Sequence, residues 1–255
     1  MLDVLQLVKD SFTQYTGRPH KLSQKNRVML YIMWLRSYPS YHVLALIFNV
    51  SVATVQAEIN ACMPIFQRAL ESFVQWPALN EWRGKRGIWS KLPAAVGAID
   101  GTSVEIYRPQ IEPQELYYSG HRHYNAIHTQ VIVDNEGSIC YVESGFLGHQ
   151  NDAQQYRMMR QIGANAPLNF PEECVLLGDK IYTNRHPVIT PFTRQQITRK
   201  PDHQKENLTI LVEHAMGDLK NYKVMGTLWR HPRQKLRLIV ETCAGFVDRR
   251  QTLFH

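Results

Sequence analysis

The chain has 255 residues, 44% of them hydrophobic and 20% charged, and a formal net charge of +7. This length is enough to bury a sizeable core, in one large domain or in one domain with a small helical module. The 14 Gly and 13 Pro exclude collagen-like and low-complexity classes, and the lack of a long uncharged apolar run predicts no membrane partner. The four cysteines form no CxxC pair, so we expect reduced thiols in an intracellular protein.

The basic excess is concentrated near the N-terminus. Residues 1–97 contain 11 Lys and Arg against 5 Asp and Glu, whereas residues 98–255 contain 18 against 17. This asymmetry predicts a cationic N-terminal module joined to a nearly neutral body. Such a module suits a polyanion, although a solvated basic surface would give the same count.

The N-terminal module is predicted to contain three helices. Ser23 caps the first over about 23–36, Ser40 caps a second short helix, and Ser51 caps a third that runs to about Leu70. Residues 41–59 fit a helix-turn-helix unit in which Asn49 takes the left-handed turn conformation. The third helix would then present five residues to a DNA major groove: Ser51, Ala53, Thr54, Gln56 and Glu58. A three-helix bundle with no DNA role is the alternative.

We therefore predict a DNA-binding module over residues 1–75, a connector over 76–94 and a body over 95–255. The candidates for DNA contact in the module are its basic residues and the polar residues at the start of its third helix: Arg18, Lys21, Lys25, Arg27, Arg36, Ser51, Thr54 and Gln56.

The body has the pattern of an α/β domain with a mixed sheet. A short buried strand over 96–99 ends at Asp100 and continues as a strand over 103–107. Two further strands over 127–133 and 138–143 flank a hairpin turn. A helix follows over 153–161, then a buried strand over 174–178 that ends at Asp179, then a helix over 210–222.

Four carboxylates stand at positions where acids are costly unless paired or metal-bound. Asp100 and Asp179 end buried strands, Asp152 precedes a helix, and Glu213 lies in an apolar helical stretch. Such a set of oxygen donors suits Mg²⁺ or Mn²⁺, and two ions about 3.5–4 Å apart would activate a water and stabilise the leaving oxygen of a phosphodiester. Three of the acids also have an ordinary role: Asp152 as a helix cap, Asp100 as a turn residue, and Glu213 as an ion-pair partner of Lys220 or Lys223.

A histidine pattern offers a rival metal site. The pattern is His121-Arg122-His123, followed by His128, and residues 121 and 123 would share one face of a strand and could bind zinc. A zinc hydrolase unrelated to DNA is therefore a third class of function, although local spacing shows no further His or Cys that would complete the site.

Five motifs occur in order along the body: Ala98-Ile99-Asp100-Gly101-Thr102, Tyr117-Tyr118-Ser119-Gly120-His121, Gly148-His149-Gln150-Asn151-Asp152, Leu176-Leu177-Gly178-Asp179 and the segment from Val212 to Lys220. Together they resemble the PIF/Harbinger group of DDE transposases and transposase-derived nucleases, and Asp179 precedes Glu213 by 34 residues, as in that group. The resemblance implies an RNase H-like fold with an N-terminal helix-turn-helix module. It also implies Asp100, Asp179 and Glu213 as a catalytic, metal-binding triad, Asp152 as a fourth metal ligand, and Arg122 as a phosphate contact.

Two segments depart from the family pattern. Lys180-Ile181-Tyr182 stands where the family has Gly before Tyr, and Gly245-Phe246-Val247-Asp248-Arg249 stands where it has Leu-His-Asn.

The favoured function is a Mg²⁺- or Mn²⁺-dependent DNA endonuclease or transposase that uses two-metal hydrolysis. The alternative is an inactive, domesticated DNA-binding or chromatin adaptor. The expected partners are double-stranded DNA, a separate Myb-like DNA-binding protein and a second copy of the chain, and the expected location is the nucleus, with the cytoplasm.

Overall fold

A computed structural model describes residues 2–12, 21–90, 92–160, 169–182, 186–190 and 206–254. Arg18, one of the predicted DNA contacts, lies outside these residues. Within the described chain no single helix has the length and apolar character of a membrane span. Only the bent pair formed by Tyr41–Phe48 and Val52–Phe73 meets both criteria together, with a bend of 101°.

The N-terminal part is helical. Its elements are α1 (Leu2–Val8), α2 (Gln24–Ser37), α3 (Tyr41–Phe48), α4 (Val52–Leu70) and α5 (Leu79–Gly84). The hydroxyls of Ser23, Ser40 and Ser51 accept hydrogen bonds from the backbone N–H groups three residues later, which satisfies orphan donors of the first turns. Asn49 ends α3 with φ 51°. The predicted caps and turn of the helix-turn-helix unit are confirmed.

The body is built on a mixed sheet. Its elements are β1 (Ala95–Glu105), β2 (Tyr118–Ser119), β3 (Tyr124–Asp134), β4 (Ile139–Leu147), α6 (Asp152–Met158), β5 (Val175–Leu177), β6 (Val188–Ile189), α7 (Glu206–Lys220), α8 (Lys223–Gly226) and α9 (Leu236–Phe254). Strand β3 pairs antiparallel with β1 and β4, whereas β5 is parallel to β1 and to β6. This sheet, flanked by helices, confirms the predicted α/β, RNase H-like class.

Each face of the sheet is covered by a different part of the chain. On one face, apolar side chains of α7 and α9 join those of α2 and α4 in a single core. On the other face, Trp82 of α5 is fully buried with Phe170 and Tyr182. The predicted connector therefore packs against the sheet and is not a solvent-exposed linker between two domains.

The N-terminal helices are packed directly on the body. Helix α4 lies along α9, and Gly245 of α9 approaches so closely that a Cβ there would stand 2.7 Å from Cβ of Leu70. Tyr38 after α2 stacks on Trp229 with ring centroids 6.3 Å apart. The domain boundaries remain predictions, but the helical module and the body share one hydrophobic core.

Two predictions about the DNA-facing surface are wrong. Arg27 is 4% exposed, its Nε donates to Glu58 Oε2 at 2.6 Å, and its guanidinium lies 4.3 Å from the centroid of the Phe12 ring. Position 27 shares a helix face with the buried Tyr31 and Trp34, so its charge points into the core. Arg27 is therefore not a DNA contact, and Glu58 pairs with it instead of facing a groove.

Candidate active site

Asp100 lies at the centre of β1. The sequence predicted a strand end at this position, but β1 continues without a break from Ala95 to Glu105, so the turn interpretation of Asp100 is wrong. The half-buried carboxylate accepts a hydrogen bond from the N–H of Gly101 at 2.7 Å. Its neighbours in the sheet are β3 on one side and the shorter β5 on the other.

Asp179 reaches the level of Asp100 because of the parallel register. Leu177, the last residue of β5, pairs with Ala98, so two further residues bring Asp179 alongside Asp100. Asp179 is exposed and opens a turn in which the N–H of Tyr182 donates to its carbonyl at 3.0 Å. Its own Oδ1 accepts from the N–H of Lys180 at 2.6 Å.

Asp152 is the first residue of α6 and not its cap. The capping residue is Asn151, whose side chain accepts from Gln154 N–H at 2.9 Å while Gln154 accepts from Asn151 N–H in return. The Asp152 side chain is therefore free of a capping role. It extends over β1, where its Oδ1 would stand 2.0 Å from a Cβ placed on Gly101.

Glu213 projects from α7, which packs against β1 and β3. Val212, Ala215 and Leu219 form the buried face of this helix, and Glu213 lies exposed beside that face. Among the ion pairs of the described residues, none joins Glu213 to Lys220 or Lys223.

The four acids act on one another electrostatically. Burial raises the pKa of Asp100 to about 6, and the negative charges of Asp152, Asp179 and Glu213 add to the increase. Burial also raises the pKa of Asp152, with a further contribution from Asp179. The structure thus brings the four predicted carboxylates into one acidic cluster around Asp100.

The acidic cluster fits a divalent cation by its donor chemistry. Carboxylate oxygens are the ligands that Mg²⁺ and Mn²⁺ prefer, and a cation would relieve the repulsion that adds to the effect of burial on the pKa of Asp100. In the conformation described, no three His, Cys, Asp or Glu side chains of the described ranges are close enough to hold one ion together. The zinc interpretation is wrong in its geometry, since His121 and His123 lie in a turn between β2 and β3 and not on a strand.

Basic and neutral side chains surround the acids. A cleft of about 540 Å³ runs past Asp152 and Asp179. Its wall includes Ser119, His121, His128, His149, Lys180 and Ile181. Arg122 is exposed nearby, and its charge opposes the rise in the pKa of Asp152. Desolvation lowers the pKa of Lys220, as does the charge of Arg122, while Asp100 opposes the change.

The remaining DNA-contact candidates differ in accessibility. Lys21, Lys25 and Arg36 are exposed, and the Arg36 guanidinium lies 4.9 Å from the ring centroid of Tyr222. Among the polar candidates of α4, Gln56 and Ser51 are exposed and Thr54 is half-buried. The Ser51 and Thr54 hydroxyls are hydrogen-bonded to each other at 2.9 Å.

Sequence reasoning assigned no role in the site to three residues beside the acids: Gln130, Tyr182 and Lys220. Gln130 and Tyr182 are buried, and Lys220 ends α7 near Asp100. A signal for Gln130 existed, because residues 128–130 are a polar run between the apolar segments 126–127 and 131–133 of the strand. A polar side chain buried in a central strand requires a specific partner.

Comparison with known proteins agrees with this architecture. The family described as "DDE superfamily endonuclease" matches residues 99–248, and the "Helix-turn-helix of DDE superfamily endonuclease" matches residues 20–72. A probable transposase for insertion sequence element IS702 from Microchaete diplosiphon is 24% identical, over 97% of this chain and 88% of that protein. Protein ALP1-like from Arabidopsis thaliana is 23% identical, over 91% of this chain and 61% of that protein. The chain belongs to the DDE superfamily endonuclease family.

Proposed function

We propose that this protein is a divalent-metal-dependent DNA endonuclease or transposase of the PIF/Harbinger type, with Asp100, Asp179 and Glu213 as its catalytic acids. The observation that carries the proposal is the acidic cluster itself. Three elements distant in the sequence bring carboxylates close enough to Asp100 for their charges to add to the rise in its pKa that burial causes. A structural role would be served better by an ion pair.

Asp100, Asp179 and Glu213 would hold the divalent ion, with Asp152 as a fourth ligand. When bound, Mg²⁺ or Mn²⁺ supplies Lewis-acid stabilisation of a phosphodiester and lowers the pKa of a coordinated water. Around this centre, Arg122 and Lys220 are placed to bind phosphate oxygens, because both carry positive charge next to the acids. The cleft past Asp152 and Asp179 is the proposed path of the DNA strand.

The helix-turn-helix unit is the proposed duplex-binding element. Gln56 and Ser51 lie exposed at the start of α4, and Lys21, Lys25 and Arg36 supply positive charge on the same N-terminal part. Binding that depends on these residues should weaken steeply with salt, since phosphate contacts release counterions. A separate Myb-like protein and a second copy of the chain are proposed partners, and the nucleus is the proposed compartment.

The second candidate is a DNA-binding adaptor that has lost cleavage. The observation in its favour is that no three ligand side chains of the described chain close around one point. The two functions differ in one measurement, the cleavage of DNA in the presence of metal.

Cleavage of labelled duplex and hairpin DNA by the full chain, with Mg²⁺ and with Mn²⁺, is the test. We expect metal-dependent nicking that Asp100→Asn reduces by at least about 100-fold, the scale on which loss of one electrostatic group acts in a transition state. Lys9→Gln changes an exposed residue of the N-terminal segment and is the control, because a substitution outside the acidic cluster should leave cleavage unchanged. If the protein binds DNA but cleaves it with neither metal, the adaptor function replaces the endonuclease function as the proposal.

A further inference from the structure

A buried amide lies between the acidic segments. Gln130 of β3 pairs with Gly101 of β1 and has no solvent exposure. Because Gly101 has no side chain, the Asp152 carboxylate occupies the space above β1, 3.1 Å from Nε2 of Gln130. Any larger residue at position 101 would push Asp152 away from the strand that carries Asp100.

The hydrogen bonds of Gln130 fix the orientation of its amide. Its Nε2 donates to Asp152 Oδ1 at 3.1 Å and to Gln155 Oε1 at 2.8 Å, and its Oε1 accepts from the Tyr182 hydroxyl at 2.6 Å. An ionised carboxylate can only accept and a phenol is the natural donor, so both ends of the amide are assigned by their partners. Gln155 is equally buried and is held by the carbonyl of Gln150 at 2.8 Å.

Tyr182 connects this amide to the turn that carries Asp179. Its N–H closes the turn on the Asp179 carbonyl, and its ring is buried, with its centroid 6.2 Å from that of Tyr156. Burial raises the pKa of Tyr182 well above its usual value, so the hydroxyl keeps the proton that it donates. A Cβ on Gly178 would stand 3.0 Å from Cδ2 of Tyr182, which shows how tightly the ring is seated.

We propose that Gln130 is a positioning residue that holds Asp152 and the Asp179 turn at a set spacing on the two sides of Asp100. The inference rests on the proposed function, because it assumes that these acids form the active site. Two like charges repel, and a tie between their segments opposes their separation. A neutral amide can provide this tie without neutralising the acids, whereas Lys or Arg would compete with a cation for them.

Three variants isolate the tie. Tyr182→Phe removes only the hydroxyl, and Gln130→Met keeps the length of the side chain without its polar atoms. The double variant tests whether both act through one link. Thr129→Val is the matched control, since Thr129 is adjacent on β3, fully buried, and has a hydroxyl with no hydrogen-bond partner among the described residues.

Two readouts on the full chain do not require cleavage. The first is hydrogen exchange of the Lys180–Tyr182 amides without metal, and the second is Mn²⁺ affinity by calorimetry. We expect either single variant to accelerate exchange in this turn and to weaken Mn²⁺ binding about 10- to 100-fold, as when a hydrogen-bond partner of a metal ligand is removed. The double variant should exchange no faster and bind Mn²⁺ no more weakly than Gln130→Met alone. Thr129→Val should keep both the exchange rate and the Mn²⁺ affinity within about 2-fold of wild type.

Unchanged exchange of these amides in Tyr182→Phe, or additive losses in the double variant, would overturn the positioning role. If wild type binds no Mn²⁺ and cleaves no DNA, the proposed function fails, and the exchange experiment still decides whether Gln130 ties the turn. The two failures are therefore distinguishable.

Discussion

Asp100 and Asp248 both have a raised pKa, but the groups around the two carboxylates differ. Burial raises the pKa of each to about 6. Asp100 is surrounded by other acids, whereas Asp248 of α9 accepts a hydrogen bond from the N–H of Ile139 at 2.9 Å and caps the start of β4. Asp248 belongs to the segment that departs from the family pattern, and its contact gives that departure a structural role.

The pH dependence of stability follows from these shifts. An unfolded Asp titrates near pH 3.9. The folded protein therefore holds these protons more tightly than the unfolded chain, so stability falls as the pH rises from about 4 to about 6. We expect Asp100→Asn and Asp248→Asn each to flatten this decline in the metal-free protein, by at most about 3 kcal/mol. Urea unfolding between pH 4 and 8 measures the effect.

Cleavage separates the two variants. Asp248→Asn keeps the acceptor for Ile139 N–H and should retain metal-dependent cleavage, whereas Asp100→Asn should lose it. If stability declined more steeply with pH in either variant than in wild type, the replaced carboxylate would stabilise the fold when ionised, contrary to this prediction.

Ile181 occupies the position where the family pattern has glycine. It is 45% exposed and is not among the described residues with positive φ, so the turn does not need the conformational freedom of glycine. We expect Ile181→Gly to lower the free energy of unfolding by about 0.4–1 kcal/mol through the entropy of the unfolded chain, without raising cleavage. A cleavage rate several-fold above wild type would instead show that this turn limits the site.

At the scale of the element, α2 carries a buried basic residue and an exposed one two residues apart. Arg27 is paired with Glu58 in the core, whereas Lys25 is exposed two residues earlier. We expect Arg27→Ala to cost about 3–5 kcal/mol, because it removes the cation that pairs with the buried Glu58 carboxylate. Lys25→Ala should change stability by less than about 0.5 kcal/mol.

DNA binding should show the opposite order. Lys25→Ala should reduce the slope of log K against log salt by about one, provided that Lys25 contacts a phosphate. The Arg27→Lys variant, if it is folded, should keep the wild-type slope of log K against log salt, because position 27 is buried and does not contact phosphate. An equal loss of slope in both variants would contradict the separation of the two helix faces.

The helix caps were predictable because their signals are local. Ser23, Ser40 and Ser51 each precede a helix and bond to it within one turn. Arg27 was not predictable in this way. Its burial depends on Glu58, which lies 31 residues away. Charge alone assigns such a residue to the surface, and only the packing of α2 on α4 reverses the assignment.

The acids of the site were visible in the sequence, but their supports were not. Asp100 and Asp179 interrupt apolar runs, which made them candidates. The continuation of β1 beyond Asp100 depends on its pairing with the long strand β3, a non-local effect. Asn151 and Asp152 are both good capping residues, and the sequence could not show that Gln130 holds the second while the first caps α6.

At the scale of the whole molecule, the helix-turn-helix part and the α/β body are continuous. Apolar residues of α4 and α9 belong to the same core, which also includes the sheet. An isolated fragment of residues 1–75 would expose the α4 residues that α9 covers. The full chain, and not the fragment, is therefore the unit in which DNA binding should be measured.

The contact between α4 and α9 provides a direct test of this continuity. A Cβ on Gly245 would stand 2.7 Å from Leu70 Cβ and 2.9 Å from its carbonyl oxygen, so Gly245→Ala forces the two helices apart. We expect a loss of about 1–3 kcal/mol, as for other overpacked sites. Gly217→Ala on α7 is the matched control. Nothing lies within 4 Å of the new methyl group, so helix propensity should raise stability by up to about 1 kcal/mol.

Hydrogen exchange shows where the loss caused by Gly245→Ala falls. Because α4, α9 and the sheet share one core, amides of α4 and of β3 should lose protection by the same factor, and thermal unfolding should remain a single transition. Loss of protection confined to α4, with β3 unchanged, would mean that the helix-turn-helix unit unfolds by itself. The shared core would then not couple it to the body, and the two parts would have to be treated as independent domains.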